Sequence, residues 1–245
     1  MPRYKLTIEF DGTGLVGWQR QDNGLGVQQI IEDAIAKFAG QETRLHTAGR
    51  TDAGVHALGI VAHFDIDREL TSDKVQEAIN HFVKPQKVSI LKAKIMHDDF
   101  HARFDCYERS YLYRILSRKG RPALDQGRIW WFQCPLDVEA MHEAAQLLVG
   151  KHDFTTFRAT HCQANSPIKT LDELTVERVG DEIHVRCRAR SFLHHQVRNI
   201  VGSLSMVGKG KWTIDDFRAA RDAKDRKRGG QTAPAQGLYF VEAKY

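Results

Sequence analysis

The stretch TVERVGDEIHVRCRAR, residues 175–190, decides the fold class. Thr175 to Val179 and Ile183 to Arg190 each read as a strand, and Gly180-Asp181 between them is turn chemistry. Two strands in succession with no helix between them make an antiparallel hairpin, not a parallel crossover unit. Working outward, Val138 to Val149 reads as a helix before the hairpin. A long helix from Phe192 to about Val207 follows it, then a shorter one from Ile214 to Ala223 and a strand from Gly237 to Lys244. In the long helix, Leu193, Val197, Ile200, Leu204 and Val207 form one apolar stripe, and His194, Arg198, Gly202 and Ser205 lie along a neighbouring face.

The first half has a similar order of elements. Tyr4 to Phe10 alternates as a strand does and ends in the turn Asp11-Gly12-Thr13-Gly14. Val27 to Phe38 carries Ile30, Ile31, Ala34, Ile35 and Phe38 at helical spacing. Gly59 to Asp65 reads as a strand, Ser72 to Phe82 as a helix, Val88 to Met96 as a strand and Tyr107 to Leu116 as another. Strands and helices mixed in this way predict an α+β fold with largely antiparallel sheets. The expected division is residues 1–105 and 106–245, with no Pro/Gly/Ser-rich linker to mark it.

A chain of 245 residues can bury a substantial core, and 27% charged with 42% hydrophobic residues is an ordinary globular balance. The net charge of +5 is modest, but its distribution is uneven. From His101 to Arg121 six Lys/Arg stand against two acids, and from Arg218 to Arg228 again six against two. The first cluster is interleaved with Phe104, Tyr107, Tyr111 and Tyr113, which suits phosphate contact and base stacking. Cys106, Cys134, Cys162 and Cys187 form no CxxC pair, which argues against a zinc knuckle or a secreted disulfide scaffold. There is no HExxH, no GxGxxG after a strand and no GxxxxGK[ST], so neither a metal nor a nucleotide cofactor is expected. The N-terminus has no signal-peptide pattern and no apolar run is long enough for a bilayer; a soluble cytoplasmic protein is expected.

The chemistry concentrates in Gly49-Arg50-Thr51-Asp52-Ala53-Gly54-Val55-His56-Ala57. A carboxylate and a guanidinium stand two residues apart between glycines, which permit a close approach by a ligand. The fixed positive charge of Arg50 favours the ionised form of Asp52, suited to being a nucleophile or base and not a general acid. Taken alone, the same pattern describes a turn cap. Arg109, Tyr111 and Tyr113 alternate along a strand and so face one side, a platform for a uracil ring or a core tyrosine beside a snorkelling arginine.

Taken together these segments resemble the TruA family of tRNA pseudouridine synthases. The resemblance runs nearly end to end: Phe10-Asp11-Gly12-Thr13 with Gly17-Trp18-Gln19-Arg20-Gln21, the Gly49–Ala57 stretch, Phe100-His101-Ala102-Arg103-Phe104 with Arg109-Ser110-Tyr111-Leu112-Tyr113-Arg114, Gly150-Lys151-His152-Asp153-Phe154, residues Phe192 to Gly202, and Ala233-Pro234-Ala235-Gln236-Gly237-Leu238. It implies isomerisation of uridine to pseudouridine at positions 38, 39 and 40 of the tRNA anticodon arm, without a cofactor. It also implies two ferredoxin-like halves joined in one sheet with helices on one face, and a homodimer in which one tRNA contacts both subunits. On this resemblance Asp52 matches the catalytic aspartate. Arg50 matches the arginine that helps extrude the target base, Tyr111 the tyrosine that packs on the uracil, and Arg198 the arginine that pairs with the catalytic carboxylate. Arg109 and His194 are expected to contact substrate, and Lys224, Arg226, Lys227 and Arg228 are expected phosphate contacts on the ground of charge. Two departures stand away from these positions: Asn80 to Pro85 where a Leu-Pro pair is usual, and Gly59-Ile60-Val61 where Gly-Gln-Val is usual.

Two rival readings remain at this stage. A catalytically silent RNA-binding module would need no Asp52. A glycosylase releasing the base would need a second carboxylate to activate water.

Overall fold

The computed structural model describes residues 1–245. In chain order it contains β1 (Arg3–Phe10), α1 (Val27–Ala39), β2 (His46–Thr47), β3 (His56–Asp65), α2 (Ser72–Phe82) and β4 (Val88–Met96). Then come β5 (Glu108–Ser117), β6 (Trp130–Phe132), α3 (Val138–Gln146), β7 (Gly150–Asp153), β8 (Ile168–Leu171), β9 (Glu173–Val179) and β10 (Glu182–Ala189). The chain closes with α4 (Gln196–Gly208), α5 (Ile214–Asp222) and β11 (Leu238–Lys244). The fold is α+β and its strand pairs are mostly antiparallel. It divides into two compact units, Met1–Tyr107 with Tyr239–Tyr245, and Glu108–Leu238. No helix is long and apolar enough to cross a membrane.

In the first unit, β1 lies between β4 and β3, antiparallel to both, and β11 adds to β3 in parallel through Tyr239 opposite His56 and Phe240 opposite Ala57. The alternation of β1 sets the layers: Tyr4, Leu6, Ile8 and Phe10 are buried, and Ile31 and Ile35 of α1 and Val75 and Ile79 of α2 are buried with them. Threonine, a preferred N-cap, starts α2: the Thr71 hydroxyl accepts the Lys74 N–H at 3.4 Å. Helix α1 stops at Gly40, whose φ of 71° is the left-handed conformation that ends helices.

In the second unit β10 lies between β5 and β9, antiparallel to both, and β6 pairs with β5 in parallel. Strands β7 and β8 form a separate antiparallel pair. The hairpin read from residues 175–190 is β9–β10, with Glu182 opposite Val179. Register puts Arg109, Tyr111, Tyr113 and Ile115 on one face with Ala189, Cys187, Val185 and Ile183, as their alternation predicts.

Two expectations differ from the structure. Helix α4 starts at Gln196 and not at Phe192, because His195 takes a left-handed backbone (φ 60°) and the Gln196 side chain accepts the Leu193 N–H at 2.8 Å. His194 is therefore exposed on the approach to the helix and does not share a helical face with Arg198. Helix α3 ends at Gln146, short of Val149, in tight turns that lead into β7.

Candidate active site

In the first unit the loop between β2 and β3 carries Arg50 and Asp52. Its backbone is tied at several points. The Thr51 carbonyl accepts the Trp18 N–H at 3.0 Å, and the Asp52 carbonyl accepts the Val55 N–H at 3.2 Å. Trp18 is itself buried, and its own carbonyl accepts the Gln28 N–H at 2.8 Å, so the loop hangs on the start of α1. Gly17 makes this approach possible. Its φ is +103°, and a Cβ there would lie 2.6 Å from the Thr51 carbonyl oxygen. Beneath the loop, the buried His56 accepts the Gly12 N–H on Nδ1 at 3.0 Å and stacks on Tyr239 at 4.8 Å. Asp52 is half-buried and Arg50 is exposed. A carboxylate on a fixed backbone, open to solvent on one side, can meet an incoming substrate with little loop ordering left to do.

In the second unit Tyr111 is half-buried and stands edge-on to Phe192, with ring centroids 4.9 Å apart and planes at 82°. Arg109, next to it on the same sheet face, donates to the Arg190 carbonyl. Tyr113 goes fully into the core, where its hydroxyl donates to the Pro234 carbonyl at 2.7 Å. Burial pushes the Tyr113 phenol well above its ordinary pKa, so it stays neutral. Of the two tyrosines, Tyr111 is the one that keeps an accessible ring.

Arg198, in the first turn of α4, is clamped to the segment that follows the basic run. Its Nε donates to the Ala233 carbonyl at 2.8 Å, and its own carbonyl accepts the Ala233 N–H at 3.1 Å. Gly202 lets this segment lie directly on the helix: a Cβ there would sit 1.7 Å from the Gln231 carbonyl oxygen. Residues 226–228 form a 3-10 turn capped by the Asp225 carboxylate. Lys224, Lys227 and Arg228 are exposed, as phosphate contacts need to be. Arg226 differs: it turns inward, donating to Asn199 Oδ1 at 3.1 Å and Thr232 Oγ1 at 3.2 Å, and burial lowers its pKa.

Sequence reasoning assigned no role to Asn199. It is fully buried in α4, donates to the Phe157 carbonyl at 3.0 Å and accepts from Thr232 Oγ1 at 2.7 Å as well as from Arg226. The available signal was a carboxamide among the apolar residues of a helix, since a buried polar group must find partners.

A family model described as tRNA pseudouridine synthase matches residues 6–105 and 144–245. The tRNA pseudouridine synthase A of Rhodospirillum centenum is 58% identical over 245 residues, covering all of both chains. That of Rhodospirillum rubrum is 56% identical over the whole of this chain and 88% of its own length. That of Brucella ovis is 56% identical over 247 aligned residues, all of this chain and 98% of its own.

Proposed function

The chain belongs to the tRNA pseudouridine synthase family, and we propose that its isomerase chemistry is carried by Asp52 acting on uridines 38, 39 and 40 of the anticodon arm. The reaction converts uridine in tRNA to its C-glycoside isomer. The N1–C1′ bond breaks, the freed uracil turns, and C5 bonds to C1′. C5 gives up its proton and N1 gains one, so atoms balance with no redox step. One nucleophile or base and a pocket that holds the detached uracil are sufficient.

The observation that carries this reading is the Asp52 loop. Its carbonyls are bonded on either side of the carboxylate, to Trp18 and Val55, while the side chain keeps a solvent-facing side. In this proposal Arg50, exposed on the same loop, contacts the extruded nucleotide. Extrusion costs a few kcal/mol of stacking, and contact with an aromatic ring offsets it; Tyr111 supplies that ring. Arg198 is the cationic counterpart of the reacting carboxylate, and the exposed Lys224, Lys227 and Arg228 contact phosphates. The enzyme works in the cytoplasm as a homodimer with one tRNA touching both subunits.

Position specificity is tested with unmodified transcripts carrying a uridine at only one of positions 38, 39 and 40, each scored for pseudouridine and for free uracil. Pseudouridine at all three supports the proposal. Free uracil in place of pseudouridine would make the protein a glycosylase, and conversion elsewhere in the tRNA with none in the anticodon arm would refute the assignment of positions.

A further inference from the structure

Phe104 is 70% exposed and Tyr107 is 57% exposed, at the start of the basic run from His101 to Arg121. An exposed phenylalanine on a loop gains nothing from the core, so its ring is available to a partner. Phe104 is also held in place. His101 packs on it with ring centroids 4.3 Å apart, and the Arg103 guanidinium lies over the ring at 5.7 Å from its centroid. Behind His101 the buried His63 meets it edge-on, with ring centroids 4.7 Å apart, and His46 stacks on His63 at 5.1 Å and lies tilted to His101 at 5.5 Å. Backbone groups fix the two inner rings: Ala102 N–H donates to His63 Nδ1 and Arg103 N–H to His101 Nδ1, both at 3.1 Å. The His101 N–H donates to the Asp105 carboxylate at 2.7 Å, which closes the turn. Burial, then neighbouring charge, lowers the pKa of both rings, His63 to about 4, so both stay neutral at pH 7.

The result is a compact cluster of rings, with His63 and His101 neutral, whose outermost ring, Phe104, faces solvent beside a permanent cation. That combination suits one ligand chemistry: a flat π-face followed by a phosphate. Bases stack on exposed rings without regard to their identity, and arginine adds attraction for the ring and for the adjoining phosphodiester. Resting on the tRNA reading above, we propose that Phe104, braced by His101 and Arg103, stacks an unpaired base of the RNA substrate, with Arg103 on its phosphate.

Binding of unmodified tRNA is measured across a salt series for wild type, Phe104→Ala, Phe104→Trp and Arg103→Gln, with pseudouridine formation followed in parallel. Loss of the stack weakens binding by Phe104→Ala about 5- to 100-fold. The slope of log affinity against log salt does not change, because no phosphate contact is removed. Phe104→Trp restores the affinity. Arg103→Gln instead flattens the salt slope by about one contact. Phe104 is exposed, so these variants fold. Wild-type affinity retained by Phe104→Ala, while the wild type converts tRNA, overturns the inference and leaves the synthase reading intact. Dissociation of a dimer by Phe104→Ala with unchanged RNA affinity per subunit overturns it in favour of a second copy of this chain as the occupant. If the wild type neither binds nor converts tRNA, the functional reading itself has failed.

Discussion

Replacing Gly202 by alanine puts a methyl group 1.7 Å from the Gln231 carbonyl oxygen, 2.9 Å from its carbon and 3.3 Å from the Ala233 nitrogen. All three are backbone atoms, so no side chain can swing aside. Restoring an ordinary contact requires a shift of about 1.5 Å between α4 and the segment at 231–233. The two Arg198–Ala233 hydrogen bonds, at 2.8 and 3.1 Å, and the Gly230 N–H bond to Ser203 Oγ at 2.9 Å cannot survive such a shift. Overpacking contributes about 2 kcal/mol and the lost hydrogen bonds about 3. The better helix propensity of alanine returns about 1. The net expected loss is about 4 kcal/mol. Urea unfolding is the assay, with the loss read as a lower midpoint at constant slope. Activity is measured where the variant is still folded, and kcat falls because Arg198 has lost its clamp. A destabilisation below about 1 kcal/mol with unchanged kcat would mean that this close approach neither holds α4 nor positions Arg198.

Other perturbations address the rest of the fold and site. Burial holds the His63 pKa near 4, below the unfolded value of about 6.5, so the unfolded chain takes up the proton first. Stability is therefore complete above about pH 6.5 and falls by about 3 kcal/mol as pH drops to about 4; His63→Asn, which keeps an acceptor for Ala102, flattens that part of the urea-midpoint profile, and parallel profiles would contradict it. Asn199→Ala strands the Phe157 carbonyl, Arg226 and Thr232 in the interior and costs about 3 kcal/mol, a loss that calorimetry reads as a lower Tm. Gly17→Ala pushes a Cβ into the Thr51 carbonyl and strains a backbone at φ +103°, displacing Asp52; kcat falls at least about tenfold under saturating tRNA, whereas an unchanged kcat would show that loop position is not limiting.

Much of this molecule was legible in its sequence because burial writes a period into it. Tyr4, Leu6, Ile8 and Phe10 alternate because one face of β1 is buried, and α1 and α2 carry apolar residues at helical spacing. The hairpin β9–β10 follows from Gly180-Asp181 between two strand-like runs. Strands β2, β6, β7 and β8 have two to four residues, too few for any period to show. The apolar spacing of α4 extends to Leu193, but helix formation stops at Gln196, where a side-chain acceptor and a left-handed histidine outweigh periodicity.

The site divides along the same line. The Gly49–Ala57 stretch stands out by its own chemistry, whereas the cluster of His46, His63 and His101 joins residues 17 and 38 positions apart. Contacts over such distances leave no local pattern. Asn199 illustrates a third case: its type is visible in the sequence, but its partners Phe157, Arg226 and Thr232 are brought to it only by folding.

The central claim is that Asp52 performs the isomerisation, and it is tested by tritium release from tRNA labelled at uridine C5, comparing wild type with Asp52→Asn. Asparagine keeps the size and the backbone bonds of the loop and removes only the carboxylate. The expected result is release to water by the wild type with pseudouridine as product, and a loss of several orders of magnitude in the variant at unchanged tRNA affinity. Release by Asp52→Asn at a rate near that of the wild type would show that the chemistry belongs to another residue.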